Sequence, residues 1–292
     1  MSVTFIQLNQ VANLIDFLLI LILFIFVSKD ILFSMKKLLM PFWRLYVWVI
    51  WFPLCLVLTA ITAITVIIMS WMRFFSLRVM SFPPKIWAKL ICWLAFVWVE
   101  FKGKENIKEG QSYVIASNHQ SAFDIWAIYG WLPVTFSWIM KKELRKMPFV
   151  GLACERLGDI FIDRSNPIEA KKSLKAAEEK LHDGHCIVIF PEGTRTKTGK
   201  VGNFKRGAFS IATDLNLPVL PTTIKGSYER FACGGYSINP GKITVTIHEP
   251  ISPEGNTEQD MRNLSQKTKD AVVSLLPDNM KSFRDEMANH NT

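Results

Sequence analysis

Metal-ligand spacing is missing from this chain: its five cysteines stand at 55, 92, 154, 186 and 233, with no Cys-x-x-Cys and no Cys/His grouping. An odd, scattered set of thiols excludes a disulfide scaffold and a structural zinc site. Charge is sparse, at 20% of 292 residues, and apolar residues make up 50%, a balance that excludes a disordered chain. No basic stripe marks a soluble face, so nucleic acid is not the expected partner. Residues 1–13 carry no Lys or Arg and no small-x-small site follows the first apolar run, which argues against a cleaved signal peptide. Internal repeats and low-complexity linkers are lacking too. A Gly-x-Ser-x-Gly nucleophile elbow is absent. The P-loop pattern fails at Gly193…Gly199-Lys200, where five residues separate the glycines and Val201 replaces the required Ser/Thr.

Long apolar runs bordered by basic residues are abundant instead. Up to Glu100 there are eight Lys/Arg and three acids, so +5 of the formal +9 lies in the first hundred residues. Such a border is what an anionic lipid surface attracts, at about 1 kcal/mol per basic residue. Leu14 to Val27 is nearly unbroken Leu, Ile, Phe and Val, and counted from Val11 the run is about 17 residues, the lower limit for a span, which gives an anchor helix over residues 1–30. Leu45 to Met72 is a second run of 28 residues, containing Pro53. The segments 28–44 and 73–89 are both basic, and the positive-inside rule puts both in the cytoplasm. A re-entrant hairpin bent near Pro53 reconciles them, with two full spans as the alternative. Ile86 to Phe101, rich in Trp and split by Lys89, reads as an interfacial helix. Residues 31–102 are thus expected to be membrane-associated and helical.

From Gly103 short apolar runs alternate with charged stretches. Ser112–Ala116, Thr135–Ile139, Asp159–Ile162, Cys186–Phe190, Val219–Ile224 and Ile243–His248 read as buried strands. Ile168, Leu174, Ala177 and Leu181 trace one helical stripe. Met261, Leu264, Thr268, Ala271, Val272 and Leu275 trace another. Strands alternating with helices predict an α/β domain over 103–285. Residues 286–292 read as a frayed tail.

Three loops carry candidate chemistry. Asn118-His119-x4-Asp124 follows the strand that ends at Ala116, where α/β folds expose side chains to a crevice. Five positions on one helix would turn Asp124 about 140° from His119. With His119 in the loop and Asp124 in the first helical turn, the two can meet, and the carboxylate then fixes the imidazole tautomer. The plain alternative is a helix cap beside a hydrogen-bonded loop histidine. Phe190-Pro191-Glu192-Gly193-Thr194-Arg195 follows a second strand, and Arg195 offers a donor fork suited to phosphate. Gly158-x2-Phe161-Ile162-Asp163-Arg164 ends a third strand with another arginine. Taken singly, each could be a solvated surface turn.

These motifs, with Val219-x-Pro221, occur in one order across about 105 residues, and residues 90–250 resemble the glycerophospholipid acyltransferase family, most of all its branch that acylates lysophosphatidic acid. The resemblance implies a mixed sheet covered by helices, preceded by a membrane-embedded helical region. It implies transfer of an acyl group from an acyl-CoA or acyl-carrier-protein thioester to the sn-2 hydroxyl of lysophosphatidic acid. The attack is direct, with His119 as general base and Asp124 orienting it. Arg164 and Arg195 would hold the acceptor phosphate, and Glu192, Gly193 and Thr194 its glycerol. Lys141, after the strand 135–139, is a candidate oxyanion donor, or else one of a solvated lysine pair. The expected partners are the thioester, membrane phospholipid and the lysolipid; no metal or other cofactor is expected. A cytoplasmic catalytic domain follows, since the thioester is made there. Other lysophospholipids or glycerol-3-phosphate remain open as acceptors, and a non-catalytic lipid-binding role is a distant alternative.

Overall fold

The computed structural model describes residues 37–163 and 184–281. The anchor expected over 1–30, Arg164, the stripe from Ile168 to Leu181 and the tail 286–292 lie outside them. The chain divides into two compact units, Met1–Ile50 and Trp51–Thr292, and the sheet and its loops belong to the second.

Among the described residues one helix, Lys37–Met72, is long and apolar enough to cross a membrane. Within it Val47–Trp51 is a π-helical turn, and α1 (Phe52–Met72) continues with Pro53 in its first turn. Pro53 has no N–H to give, and the π-helical turn stands directly before it. The hairpin expected at Pro53 is corrected: the helix runs on through that proline to Met72. It ends instead at Arg73, which takes a left-handed conformation with φ 58°. The short α2 (Leu77–Met80) and then α3 (Phe82–Leu94) follow. Trp51 donates its indole N–H to the Ile91 carbonyl at 3.1 Å, which ties the start of α1 to the last turns of α3.

The apolar stretch 86–101, expected as one helix, is also corrected. The helix stops at Leu94, Phe96 turns at φ 53°, and Val97–Lys102 forms β1. The other strands are β2 (Val114–Ser117), β3 (Phe136–Lys141), β4 (Ile160–Ile162), β5 (Cys186–Ile189), β6 (Val219–Lys225) and β7 (Gly241–Ile247). They form a seven-stranded sheet in the order β1-β7-β6-β2-β5-β3-β4. Every neighbouring pair is parallel except β6 with β7, which makes the sheet mixed. All four residues of β2 and of β5 are buried, as expected for central parallel strands covered on both faces.

One face packs on Phe209, Ile211, Leu264, Val272 and Val273. Leu264, Val272 and Val273 come from α8 (Glu258–Ser274), which opens with a capping box between Thr257 and Asp260. Its buried face includes Ser265, Thr268 and Lys269, so it is rotated by about one residue from the expected stripe, and Leu275 is left exposed. Among the described residues the helices between Phe123 and Arg230 are short: α4 (Phe123–Trp131), α5 (Val150–Arg156), α6 (Ser210–Asp214) and α7 (Ser227–Arg230).

Candidate active site

Because β2, β5, β3, β4 and β6 run parallel, their C-terminal ends share one edge of the sheet, and the loops that leave that edge meet. Asn118 begins the loop after β2. Its side chain donates to the Ile224 carbonyl and accepts from the Ile224 N–H, both at 2.8 Å. This two-way bond copies a backbone ladder and fixes the loop to the end of β6.

His119 follows. Its Nδ1 lies 2.9 Å from Asp124 Oδ2, and the same oxygen accepts the N–H groups of Gln120 and Ser121, both at 2.7 Å. Asp124 occupies the first turn of α4 and is fully buried. The two amide donors and the helix N-terminus hold that carboxylate oxygen in place. Facing an acceptor, Nδ1 carries the proton, and Nε2 is left as the basic nitrogen. The imidazole is stacked on Phe190, with ring centroids 3.8 Å apart and an interplanar angle of 7°. Phe190 in turn stacks on Trp138 of β3, at 5.3 Å.

The second motif locks onto the first through the backbone. The His119 N–H donates to Glu192 Oε1 and the Gly202 N–H to Oε2, each at 2.7 Å, while the Thr196 N–H donates to the His119 carbonyl at 3.1 Å. Glu192 is only 6% exposed, and burial pushes its carboxyl up to about 7 against the pull of its two amide donors. Expected at the acceptor's glycerol, this side chain is instead turned inward as a brace between loops. Gly193 makes the turn at φ 77°, where a side chain would be strained, and donates its N–H to the Phe190 carbonyl. Thr194 and Arg195 are exposed, and Arg195 has no carboxylate partner among the described residues.

Lys141 closes β3 and is exposed; β5 lies between its strand and β2, and among the described residues it makes no hydrogen bond to the His119–Asp124 pair. Asp163, just after β4, is 3.4 Å from Lys142. Sequence reasoning gave no role to Phe190, Gly202 or Gln120. Gln120 Nε2 bonds the Gly199 carbonyl at 2.5 Å. A Cβ on Gly202 would stand 3.0 Å from Glu192 Oε2. An aromatic residue at a strand end was a readable signal; the glycine was not. No group of three or more His, Cys, Asp or Glu side chains able to hold a metal ion is found among the described residues.

The chain as a whole is similar to known proteins. A family model described as Acyltransferase matches residues 98–225. The 1-acyl-sn-glycerol-3-phosphate acyltransferase of Pseudomonas aeruginosa is 36% identical over 192 residues, covering 64% of this chain and 73% of that protein. The chloroplast 1-acyl-sn-glycerol-3-phosphate acyltransferase of Arabidopsis thaliana is 34% identical over 172 residues, 58% of this chain and 48% of that one. This chain thus spans about half the length of the chloroplast relative. The crystal structure of the 1-acyl-sn-glycerophosphate acyltransferase of Thermotoga maritima superposes with a TM-score of 0.67 at 29% identity, covering 82% of this chain and 97% of that one. A likeness that extends over nearly all of a solved acyltransferase, and over most of the Pseudomonas relative, places this chain in the glycerophospholipid acyltransferase family.

Proposed function

We propose that the protein transfers an acyl group from a thioester, acyl-CoA or acyl-carrier protein, to the sn-2 hydroxyl of lysophosphatidic acid, giving phosphatidic acid. The observation that supports this most is the coupling of the two loops. The Thr196 N–H on the His119 carbonyl brings the exposed Arg195 turn alongside the base. A phosphate on that arginine would then lie beside the histidine that takes the hydroxyl proton.

An alcohol is a poor nucleophile at neutral pH and needs a base within hydrogen-bond reach. In this reading His119 Nε2 accepts the proton as the sn-2 oxygen attacks the thioester carbonyl carbon, and Asp124 stabilises the imidazolium. The tetrahedral intermediate collapses with cleavage of the C–S bond, and the imidazolium returns its proton to the departing thiolate. Arg195 and Arg164 hold the acceptor phosphate by paired donors. Gly193 and Thr194 shape the turn next to the glycerol, with Glu192 acting through the loops. Lys141 is the candidate donor for the carbonyl oxygen as it becomes an oxyanion. Membrane phospholipid surrounds the apolar helix, and the catalytic unit faces the cytoplasm, where the thioester is made.

The test incubates detergent-purified protein with oleoyl-CoA and lysophosphatidic acid and measures phosphatidic acid together with free thiol. Equal appearance of both, lost in His119→Ala, is the expected result. Thiol without phosphatidic acid would mean a thioesterase or another acceptor and would overturn the reading. Silence with both oleoyl-CoA and oleoyl-acyl-carrier protein would overturn the enzymatic assignment.

A further inference from the structure

A second concave site lies at the other edge of the sheet. Arg78, Lys85, Lys104, Lys108 and Glu109 line a cleft of about 710 Å³, together with Thr135 and Gly184. Thr135 precedes β3 and Gly184 precedes β5, so the cleft sits at the N-terminal ends of the parallel strands. His119 lies beyond the C-terminal end of β2, at the opposite edge. The lining residues come from three distant stretches: α2 to α3, the 104–111 turn after β1, and the entries to β3 and β5. Gly184 and Gly110 close against each other there, a Cβ on Gly184 lying 3.3 Å from Gly110 Cα.

Four cations face one carboxylate in this cleft, and none of the four is ion-paired among the described residues. Some basic residues elsewhere on the surface are paired: Lys102 and Lys242 share Glu100, and Arg206 and Arg262 share Glu258. Lys85 is half-buried, and burial, with Lys89 and Arg78 nearby, holds its ammonium below the ordinary lysine value. Four cations set against a single carboxylate leave an excess of positive charge that favours an anion between them. The rim is apolar as well as basic. Phe82 is 62% exposed and also lines the cleft, and Ile86, one turn further along α3, is 45% exposed.

We propose that this cleft binds the phosphate of an anionic glycerophospholipid, whose acyl chains lie over Phe82 and Ile86. The site is separate from the acceptor site and does not depend on the reaction assigned to His119. An anion that is also an amphiphile satisfies both halves of the surface, the cations inside and the apolar side chains at the mouth.

The full chain in dodecyl maltoside is titrated with dioctanoyl phosphatidylglycerol, dioctanoyl phosphatidylcholine and inorganic phosphate, with binding read by calorimetry. Phosphatidylglycerol is expected to bind at least about tenfold more tightly than phosphatidylcholine. Lys104→Glu with Lys108→Glu should weaken it at least about tenfold. Lys104→Gln with Lys108→Gln, both at exposed positions, should show a smaller loss in the same direction and guards against a folding defect. His119→Ala with Arg195→Ala should leave the affinity unchanged. Unaltered affinity in both lysine pairs overturns the proposal, as does loss of binding in the His119/Arg195 variant. Inorganic phosphate binding as tightly as the lipid would assign the cleft to a free anion and overturn the lipid reading.

Discussion

The imidazole of His119 lies flat on the ring of Phe190, centroids 3.8 Å apart and planes 7° apart. One face of the proposed base is thereby covered, and its Nδ1 is held by Asp124, so little rotation is left to it. Stacked rings contribute about 0.5–1.5 kcal/mol beyond their buried area. Phe190→Leu should therefore lower kcat by up to about tenfold while leaving the KM for lysophosphatidic acid nearly unchanged. A rise in KM with kcat intact would mean that the ring contacts substrate instead of the histidine.

Asp124→Asn should cost about 10²–10⁴ in kcat. Its Oδ2 also accepts the Gln120 and Ser121 amides, so an amide there would mismatch either the histidine or the loop. The double variant with His119→Ala should be no slower than His119→Ala alone, because the two act as a unit. Multiplicative losses would separate their roles.

Glu192 titrates at about 7 in the folded protein, above the ordinary 4.5, because it is buried. A raised carboxyl favours the folded state fully below pH 4.5, and this advantage is lost as pH rises through about 7. The melting temperature should fall across that window. Glu192→Gln should flatten the dependence, and it should lower activity at every pH because one of the two amides would face an NH2 group. An unchanged pH slope in the variant would remove Glu192 as its origin.

Arg195 is exposed and lacks a carboxylate partner among the described residues. Arg195→Ala should raise the KM for lysophosphatidic acid by about 10- to 100-fold, the value of one or two charge-assisted hydrogen bonds. The KM for the thioester should move far less. If the thioester KM rises instead, the arginine serves the donor.

The central strands were legible because β2 and β5 are short apolar runs ended by turn residues, and the two motifs sit at those ends. The apolar stripe likewise gave α8, displaced by about one residue because Ser265, Lys269 and Val273 share its buried face. What misled were the reversals. Pro53, an apparent break, lies within a helix that runs on to Met72, whereas the chain turns at Arg73 and Phe96, non-glycine residues at φ 58° and 53°. Neither has a sequence signature, since packing and not intrinsic preference holds them there. For the same reason β1 was read as the end of a helix. The pairing of His119 with Asp124 could be foreseen because it needs only a loop and one helical turn. The inward turn of Glu192 could not, because Gly202, its second partner, is ten residues away in a loop without periodicity.

The carboxylate of Glu192, bonded at once to His119 and Gly202, also defines the smallest transplantable part of the site. Exchanging residues 192–195 alone with a homologue, in order to change acceptor preference, would put a foreign turn against a native tether. The graft has to run from Phe190 to Gly202, so that stacking ring, brace and the glycine beneath it travel together. Libraries aimed at acceptor choice are therefore best built on the two outward positions, Thr194 and Arg195, with the rest of that segment held constant.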